Sequence, residues 1–494
     1  MGWLIKREYF RSTGARLAEA ALAVPPGAVF YRLQLGAQQA GYASTTVDTL
    51  GDSISVEDVL VVDVPALGKL YRTSGRSLAI VDRALRLRSV VTTVDAAGHR
   101  FDARATVSED SVLHLTIISA ADSQRSSVKL TRPIVPPSLL PLRLAFGGEL
   151  RIGKSYSTRL FDPLTLAERD VTVQVTAESS LIVADSADYD STTMAWVPVH
   201  FDTLRAFRLG VTGDAPGLEA WIDGQGHIVR AQSPLGLTME RTAFELAYEN
   251  FRHRDTARVA AASAAPAQGD IIAATAIASN VQLMPEQRTT LRVRFSGVPL
   301  AGFDLGAGRQ ALVGDTLTVR RESVTTLTAE YRLPASDTAL QRFVRPEPLI
   351  QSTDPRVVAQ ARRIAAGERD PRKVAELLVH WVFQNLKAEI SPGVPSAVAV
   401  LNSRRGDCNE HTVLYVALAR ALGLPARTAA GLVYLRGRFY YHAWPEVYLG
   451  DWVAVDPTFD QFPADAAHLR FAIGGLARQV ELIRLIGSLK LEVL

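Results

Sequence analysis

The chain has 494 residues, of which 47% are hydrophobic and 21% are charged, and these are ordinary values for a globular protein. A chain of this length is too long for one ordinary hydrophobic core, so we expect roughly two to four domains. The formal net charge of +3 is small and no long run of Lys or Arg occurs, so the composition gives no support to nucleic-acid binding.

The N-terminal residues 1–27 predict neither a signal peptide nor a membrane span. Their apolar part is too short for the core of a signal peptide, and no run of about 18 apolar residues occurs in the chain. We expect an alanine-rich helix over residues 14–24, in a segment that could be the tail of a membrane anchor beginning upstream of residue 1. The single cysteine suits a reducing compartment or an envelope protein that avoids stray disulfides, and we favour the cell envelope or periplasm over the cytoplasm.

Residues 28–253 alternate between apolar and polar side chains and predict antiparallel β-structure. Residues 29–35 alternate clearly, and Asp223-Gly224 stands between two apolar runs, which is a hairpin signal. We therefore expect one large β-rich domain or two modest ones. Residues 254–270 are rich in Ala with Ser, Pro and Gln and predict a linker.

Residues 271–345 predict a further small β domain. The stretch 289–295 alternates threonine, leucine, valine and phenylalanine with polar partners, and a small sandwich would suit it.

The pattern becomes helical after Asp354-Pro355, and we assign residues 354–494 to one α+β domain. Asp370-Pro371 predicts a helix start, with aspartate at the N-cap and proline in the first helical position. The apolar stripe expected on this helix consists of Leu377, Leu378, Trp381 and Val382.

Cys408 is the only cysteine of the chain, and it follows the turn Arg405-Gly406-Asp407. A helix is predicted to begin here, with an apolar stripe at helical spacing and a stop at Gly423. Cys408 would then lie in the first turn, where the partial positive charge favours a thiolate and backbone N–H groups can face an oxyanion. The competing interpretation is a structural cysteine that packs as a small hydrophobe.

His442 and Asp456 lie on two predicted neighbouring strands and could supply a base and its orienting carboxylate. The competing interpretation is an ordinary histidine on an aromatic sheet face. A two-residue turn at Gly450-Asp451 would place residue 456 opposite residue 445, on the wrong face for this pairing. We therefore predict either a bulge near Pro445 or a three-residue turn.

These motifs resemble the core of the transglutaminase-like superfamily. The similarity rests on Arg405-Gly406-Asp407-Cys408, residues 422–427, His442-Ala443-Trp444 and residues 455–458, and it extends over about residues 355–470. It implies a papain-like α+β fold with Cys408 as nucleophile, His442 as base and Asp456 as orienter. Family members include transglutaminases, peptidases, amidases and deamidases, and some have lost catalysis.

The resemblance leaves the second oxyanion donor open. We expect Gln384 or Trp381 to supply it, and Asn409 and Trp444 to shape the cleft. Glu410 and His411, which follow Cys408, are interpreted as residues that shape the cleft or cap the helix. Asp465 and His468, which follow Asp456, are interpreted as loop or helix-start residues. No calcium loop occurs and one Cys with one neighbouring His is a poor metal site, so we expect no metal and no cofactor.

The sequence thus predicts a thiol acyl-transfer enzyme that acts on peptide or isopeptide amides of a protein or peptide substrate. Hydrolysis and transamidation share every step up to the acceptor, so both remain open. The alternative is a non-catalytic binding or assembly protein, in which the β-rich region recognises a partner and the triad is unused. The oligomeric state also remains open.

Overall fold

The computed structural model describes residues 26–254 with short gaps, residue 272, and residues 275–390 and 396–494. The gaps are 67–68, 97–98, 109–110, 120–121, 132, 136–138, 148–149, 163–166, 213–218 and 235. Two compact units are present, one formed by residues 1–118 and 123–271 and the other by residues 119–122 and 272–494. The helix predicted over 14–24 and all but the first residue of the predicted linker lie outside the described residues.

The first unit contains a 14-stranded antiparallel sheet, as the alternating sequence predicts. Strands that follow one another in the chain pair as neighbours, except β8 and β9, which form the two edges of the sheet. The first strand also pairs with the last, so the order is β8 to β1 followed by β14 to β9. The strands are β1 (Gly27–Leu35), β2 (Gln38–Leu50), β3 (Ser53–Ala66), β4 (Lys69–Asp82), β5 (Leu87–Ala96), β6 (His99–Val107), β7 (Val112–Ser119), β8 (Asp122–Lys129), β9 (Ser155–Asp162), β10 (Ala167–Asp190), β11 (Ala195–Thr212), β12 (Glu219–Asp223), β13 (Ile228–Gln232) and β14 (Leu237–Thr242).

The hairpin predicted at Asp223-Gly224 is confirmed, because β12 and β13 pair antiparallel. The Asp223 side chain accepts hydrogen bonds from the backbone N–H groups of Gln225 and His227, both at 2.9 Å. Gly226 takes a φ of +82°, which glycine adopts without steric cost. A short helix, α1 (Leu140–Gly147), separates β8 from β9 in the chain, and a single π-helical stretch, Glu245–Glu249, follows β14.

The second unit combines helices with strands that pair antiparallel, apart from the short parallel pair of residues 387–388 with residues 405–406. Its helices are α2 (Pro355–Ala365), α3 (Pro371–Asn385), α4 (Ala397–Ser403), α5 (Cys408–Ala421) and α6 (Leu476–Gln479). Its strands are β15 (Ile277–Ala278), β16 (Thr290–Ser296), β17 (Gln310–Val313), β18 (Thr316–Arg320), β19 (Lys387–Ala388), β20 (Arg405–Gly406), β21 (Ala426–Leu435), β22 (Arg438–Tyr448), β23 (Trp452–Ala454), β24 (His468–Ile473) and β25 (Lys490–Val493).

Helix α3 begins as predicted, because Asp370 accepts hydrogen bonds from the backbone N–H groups of Arg372 and Lys373. Its buried stripe differs from the expected one: Leu377 is 41% exposed and Trp381 is half-buried. The residues of α3 that face the core are Pro371, Val374, Ala375, Leu378, Val379 and Val382. Leu377 precedes Leu378 by one position, or about 100° around the helix, so it turns toward solvent.

Two sheets organise the second unit. The first has the order β15-β22-β21-β24, with β23 pairing on β22, and the second has the order β17-β18-β16-β25. Helix α5 packs against β21 and β22 and is buried almost along its whole length, from Glu410 to Arg420. This helix-on-sheet arrangement brings the start of α5 to the strand that carries His442.

The stretch predicted as a separate small domain over 271–345 instead shares sheets with the cysteine-bearing part of the chain. β15 pairs with β22, and β16 pairs with β25 at residues 490–493. Leu291 and Val293 accordingly pack in one core cluster with Leu432 and Phe439. Strand alternation reports local structure only, so it could not reveal a pairing between segments about 200 residues apart.

Among the described residues, none of the helices is both long enough and apolar enough to cross a membrane.

Candidate active site

The turn before Cys408 is held by a reciprocal cap. Asp407 is the N-cap of α5 and accepts a hydrogen bond from the Asn409 N–H at 2.8 Å, while the Glu410 carboxylate accepts one from the Asp407 N–H at 3.0 Å. A Cβ atom on Gly406 would lie 2.2 Å from Cβ of Glu410, so only glycine permits this approach. The cap therefore makes Cys408 the first residue of α5, as the sequence predicts.

His442 and Asp456 face each other across a three-residue turn. Tyr448 pairs with Trp452 and Glu446 with Ala454, so three residues separate β22 from β23. In this register Asp456 lies on the same side as His442, and the distance from His442 Nε2 to Asp456 Oδ2 is 2.7 Å. The pairing of β21 with β22 runs without a shift, so the three-residue turn, and not a bulge, satisfies the predicted requirement.

The imidazole of His442 is fixed in its plane by aromatic neighbours. It stacks on Phe459 with ring centroids 5.0 Å apart and lies 6.1 Å from the ring of Trp444. Asp456 is fully buried, and its Oδ1 accepts the Thr458 N–H at 2.7 Å.

Burial opposes the charge of Asp456, but the two neighbouring histidines, His442 and His468, outweigh it and lower the pKa of this carboxyl. Because an ionised carboxylate only accepts hydrogen bonds, Nε2 of His442 carries the proton. In the neutral ring, Nδ1 is then the nitrogen free to act as a base.

Cys408 and His442 line the same cavity, which has a volume of about 190 Å³. Among the residues that the structure describes, the lining consists of Cys408, Asn409, Ala430, Tyr441, His442, Ala443, Gln479, Leu482 and Ile486. Cys408 is half-buried, and the backbone N–H of Ala443 favours the ionised form of its sulfur. A substrate carbonyl in this cavity would therefore meet the thiol and the imidazole together.

The thiol of Cys408 is held in its protonated form. Although part of the residue reaches the cavity surface, burial of the sulfur raises its pKa well above the ordinary range, and the charge of Asp407 adds to this, followed by Asp456 and Glu410. The Ala443 N–H opposes the shift but does not reverse it. The direction is opposite to the one expected from the helix N-terminus, because burial and three carboxylates outweigh the helix dipole. A nucleophilic sulfur here must first pass its proton to a base.

The predicted cleft residues divide into those near Cys408 and those away from it. Asn409 lines the cavity, whereas Gln384 is exposed on α3 and Trp381 lies under the Arg404 guanidinium, 4.5 Å from the ring centroid. Neither Gln384 nor Trp381 belongs to the cavity lining. Trp444 is fully buried behind His442, so it shapes the histidine environment and not the cavity.

Besides Asn409 and the predicted catalytic residues, the cavity contains two polar side chains, of which Tyr441 was interpreted from the sequence as core or cleft wall and Gln479 was not indicated. Gln479 of α6 and Tyr441 of β22 both line it. The hydroxyl of Tyr441 is buried and finds no hydrogen-bond partner within the described part of the chain. No local pattern distinguishes Gln479, because α6 reaches Cys408 only through the tertiary fold.

His468 and Asp465, interpreted from the sequence as loop or helix-start residues, are part of the site. His468 is fully buried, with Nε2 2.9 Å from Asp456 Oδ2 and Nδ1 2.9 Å from Asp465 Oδ1. The alternation of Leu469 and Phe471 with polar neighbours could have indicated β24. Its pairing with β21, which brings His468 to Asp456, is not a local property.

His442, Asp456 and His468 also form a compact group of metal-ligand types, with candidate ligand atoms within 4.8 Å of one another. Their Nε2–Oδ2 separations of 2.7 and 2.9 Å are hydrogen-bond distances. Tetrahedral zinc with bonds of about 2.0 Å would hold its ligand atoms roughly 3.3 Å apart. The geometry therefore fits a hydrogen-bonded chain better than a zinc centre.

Residues 358–457 match the family model of the transglutaminase-like superfamily. The matched segment contains Cys408, His442 and Asp456, so the resemblance carried by the motifs is confirmed for this part of the chain. We refer to it below as the transglutaminase-like domain.

Two proteins of similar sequence are both uncharacterized. One, from Mycobacterium leprae, is 26% identical over 208 residues, which are 38% of this chain and 72% of that protein. The other, from Haemophilus influenzae, is 32% identical over 98 residues, which are 19% of this chain and 26% of that protein.

A solved structure from Cytophaga hutchinsonii, provisionally named a cysteine protease, is 19% identical and covers 36% of this chain and 59% of that one. Its TM-score of 0.27 is too low for the likeness to bear on function. The chain spans less than two thirds of both the Haemophilus protein and the Cytophaga structure.

Proposed function

We propose that the transglutaminase-like domain is a thiol acyl-transfer enzyme that acts on amide bonds of a protein or peptide substrate. Cys408 is the nucleophile, His442 the base and Asp456 the carboxylate that orients the base. The observation that carries the proposal is the 2.7 Å contact from His442 Nε2 to Asp456 Oδ2. That contact leaves Nδ1 as the proton acceptor in a ring that shares its cavity with Cys408.

The reaction begins with a neutral thiol and a neutral imidazole. As sulfur attacks the amide carbon, the thiol proton passes to Nδ1 of His442, and the carbonyl oxygen becomes an oxyanion. Nδ1 then returns the proton to the leaving nitrogen as the C–N bond breaks, which releases an amine and leaves a thioester on Cys408. Water or an amine attacks the thioester, gives its proton to Nδ1, and the thiol re-forms with release of an acid or a new amide.

The oxyanion needs donors that are already oriented when negative charge develops. The first turn of α5 presents the backbone N–H of Cys408, as in other sites at a helix N-terminus. The side-chain amide of Gln479 lines the same cavity and is our candidate for the second donor. Gln384, one of the two donors expected from the sequence, is exposed on α3 and does not line the cavity.

The test is amide cleavage by the full chain on a peptide library, with hydroxylamine present to trap the thioester as a hydroxamate. We expect amine release and hydroxamate formation in the wild type and neither in Cys408→Ala. The chain offers a clean control, since Cys408 is its only cysteine and every thiol signal comes from this site. Undiminished cleavage by Cys408→Ala would disprove the thiol mechanism.

A second candidate, partner recognition by the first unit, is supported by apolar side chains on its longest hairpin. Ile182 of β10 and Phe201 of β11 are 69% and 54% exposed, and they lie near each other because Phe201 pairs with residue 184 of β10. Exposed apolar groups in one region are typical of interaction surfaces. If recognition is the main function, Ile182→Ser with Phe201→Ser will abolish binding of a partner peptide that Cys408→Ala still binds.

A further inference from the structure

His468 is a buried titratable group that the proposed reaction does not use directly. Both of its ring nitrogens face carboxylates, Nε2 toward Asp456 and Nδ1 toward Asp465, each at 2.9 Å. Carboxylates accept hydrogen bonds, so both nitrogens must donate and the ring is an imidazolium. Its side chain has no exposed surface at all.

The surroundings hold this ring in one orientation. Asp465 Oδ1 also accepts the Ala467 N–H at 2.8 Å, and Asp465 Oδ2 accepts the Gln461 side-chain amide at 3.1 Å. The buried guanidinium of Arg309 donates to the carbonyl oxygens of Ala464 and Asp465 at 2.8 and 3.0 Å. Hydrogen bonds to both its side chain and its backbone therefore hold the loop that carries Asp465 in place.

The charge balance agrees with the hydrogen-bond geometry. Burial alone would lower the pKa of His468, but the negative charge of Asp465 and the hydrogen bonds with Asp456 and Asp465 raise it to about 9. The same pairing lowers the pKa of Asp465 to about 2 despite its burial. The buried positive charge of the His468 ring thus lies between two buried negative ones.

We propose that His468 is a positioning residue that works through Asp456: it fixes the carboxylate that orients His442. Asp456 Oδ2 accepts one N–H from each histidine, and Oδ1 accepts the Thr458 N–H. The working unit is then a chain of five side chains from Cys408 through His442, Asp456 and His468 to Asp465. This inference rests on the proposed function for its catalytic consequence.

The physical reason is the cost of an unsatisfied charge. Without His468, the fully buried carboxylate of Asp456 would have one hydrogen-bond donor fewer at Oδ2. Asp465 would lose the positive charge that is hydrogen-bonded to it. Asp456 would rotate or take up a proton, and His442 would lose the acceptor that defines its tautomer. Misplacement of a catalytic group by about 1 Å can cost on the order of a hundredfold in rate.

The experiment compares four variants of the full chain. His468→Phe removes both donors and keeps a planar ring, and His468→Gln retains an amide that can donate to Asp456. Asp465→Asn keeps its shape but removes the charge that holds His468 protonated. The control is His380→Phe, which breaks a half-exposed His–Asp pair with Asp460, near the site but outside the cavity lining.

We expect kcat for amide turnover to fall about tenfold or more in His468→Phe with KM little changed, to recover in part in His468→Gln, and to stay unchanged in His380→Phe. The alkylation rate of Cys408 at pH 7 is expected to be slow in the wild type, because the thiol is protonated and depends on His442 to accept its proton. It should fall further in His468→Phe, toward that of His442→Ala. A folded His468→Phe protein with the kcat and alkylation rate of the wild type overturns the proposal.

A spectroscopic measurement decides the matter if His468→Phe does not fold. Nitrogen-15 labelled wild type should show two slowly exchanging ring N–H protons of His468 at pH 7.5, and Asp465→Asn should lose the one on Nδ1. Absence of the pair in the wild type overturns the proposal. If the wild type turns over no amide, the proposed function fails, while the spectra and the alkylation rates still judge the role of His468.

Discussion

The carboxylate of Asp456 accepts the Nε2 proton of His442 at 2.7 Å, although a two-residue turn between their strands would have placed the two side chains on opposite faces. The extra turn residue is what permits a base and its orienter to meet. Because the contact selects the tautomer of His442, it leads directly to a mutational prediction.

Asp456→Asn should lower kcat by a factor on the order of a thousand or more. The amide can donate to Nε2, which would move the ring proton to Nδ1 and remove the acceptor for the thiol proton. Steady-state kinetics on a cleaved peptide measures the effect. Asp460→Asn, at a nearby carboxylate that pairs with His380, is the matched control and should change kcat less than about twofold; an equal effect of both variants would contradict the assigned role.

The reaction of Cys408 with iodoacetamide should rise only above the ordinary titration range of cysteine, about pH 8.5. Burial and the charge of Asp407 raise the pKa of this thiol, so the thiolate fraction near neutral pH is smaller than in a free cysteine. Asp407→Asn keeps a good N-cap and removes one charge, and it should shift the midpoint to lower pH. A wild-type midpoint near pH 6 would instead mean a preformed thiolate–imidazolium pair.

His468 should make stability depend on pH between about 6.5, the ordinary pKa of histidine, and 9. A histidine whose pKa is raised in the folded state stabilises that state fully at pH values below its pKa in the unfolded chain. This stabilisation is lost as the pH rises through its pKa in the folded state. For this shift in pKa, the contribution of His468 to the free energy of unfolding is at most about 3 kcal/mol. Urea unfolding at pH 6.5 and about 7.8 measures part of the loss, below the range in which the thiol of the unfolded chain titrates.

The control for this prediction is His468→Phe, whose unfolding free energy should change less over the same pH interval. Equal pH dependence in both proteins would show that His468 is not the titrating group.

Gln479→Ala should lower kcat by about a hundredfold, because one missing oxyanion donor costs on that order. Gln384→Ala is the matched control, since Gln384 lies on the exposed side of α3, and it should leave kcat unchanged. Single-turnover acylation rates would separate this effect from product release. The reverse result, a lowered kcat in Gln384→Ala and an unchanged kcat in Gln479→Ala, would assign the oxyanion donor to α3.

Short-range patterns in the sequence were sufficient for the cysteine helix and for the hairpins. Asp407 as N-cap, Gly406 before it and the helical period after it define where α5 begins, and all three act within one or two turns. The requirement that Asp456 share a face with His442 could also be stated in advance, because strand alternation is a local rule. The motif order was enough to indicate the family.

Only the tertiary structure decided the rest, because it depends on segments that are distant in the chain. The pairing of β16 with β25 unites the expected small domain with the cysteine-bearing part, and the pairing of β24 with β21 brings His468 to Asp456. Burial and the sum of nearby charges determine the pKa of Cys408, and a local pattern reports neither. The sequence by itself determined which residues could react, and the fold decided which of their neighbours hold them in place.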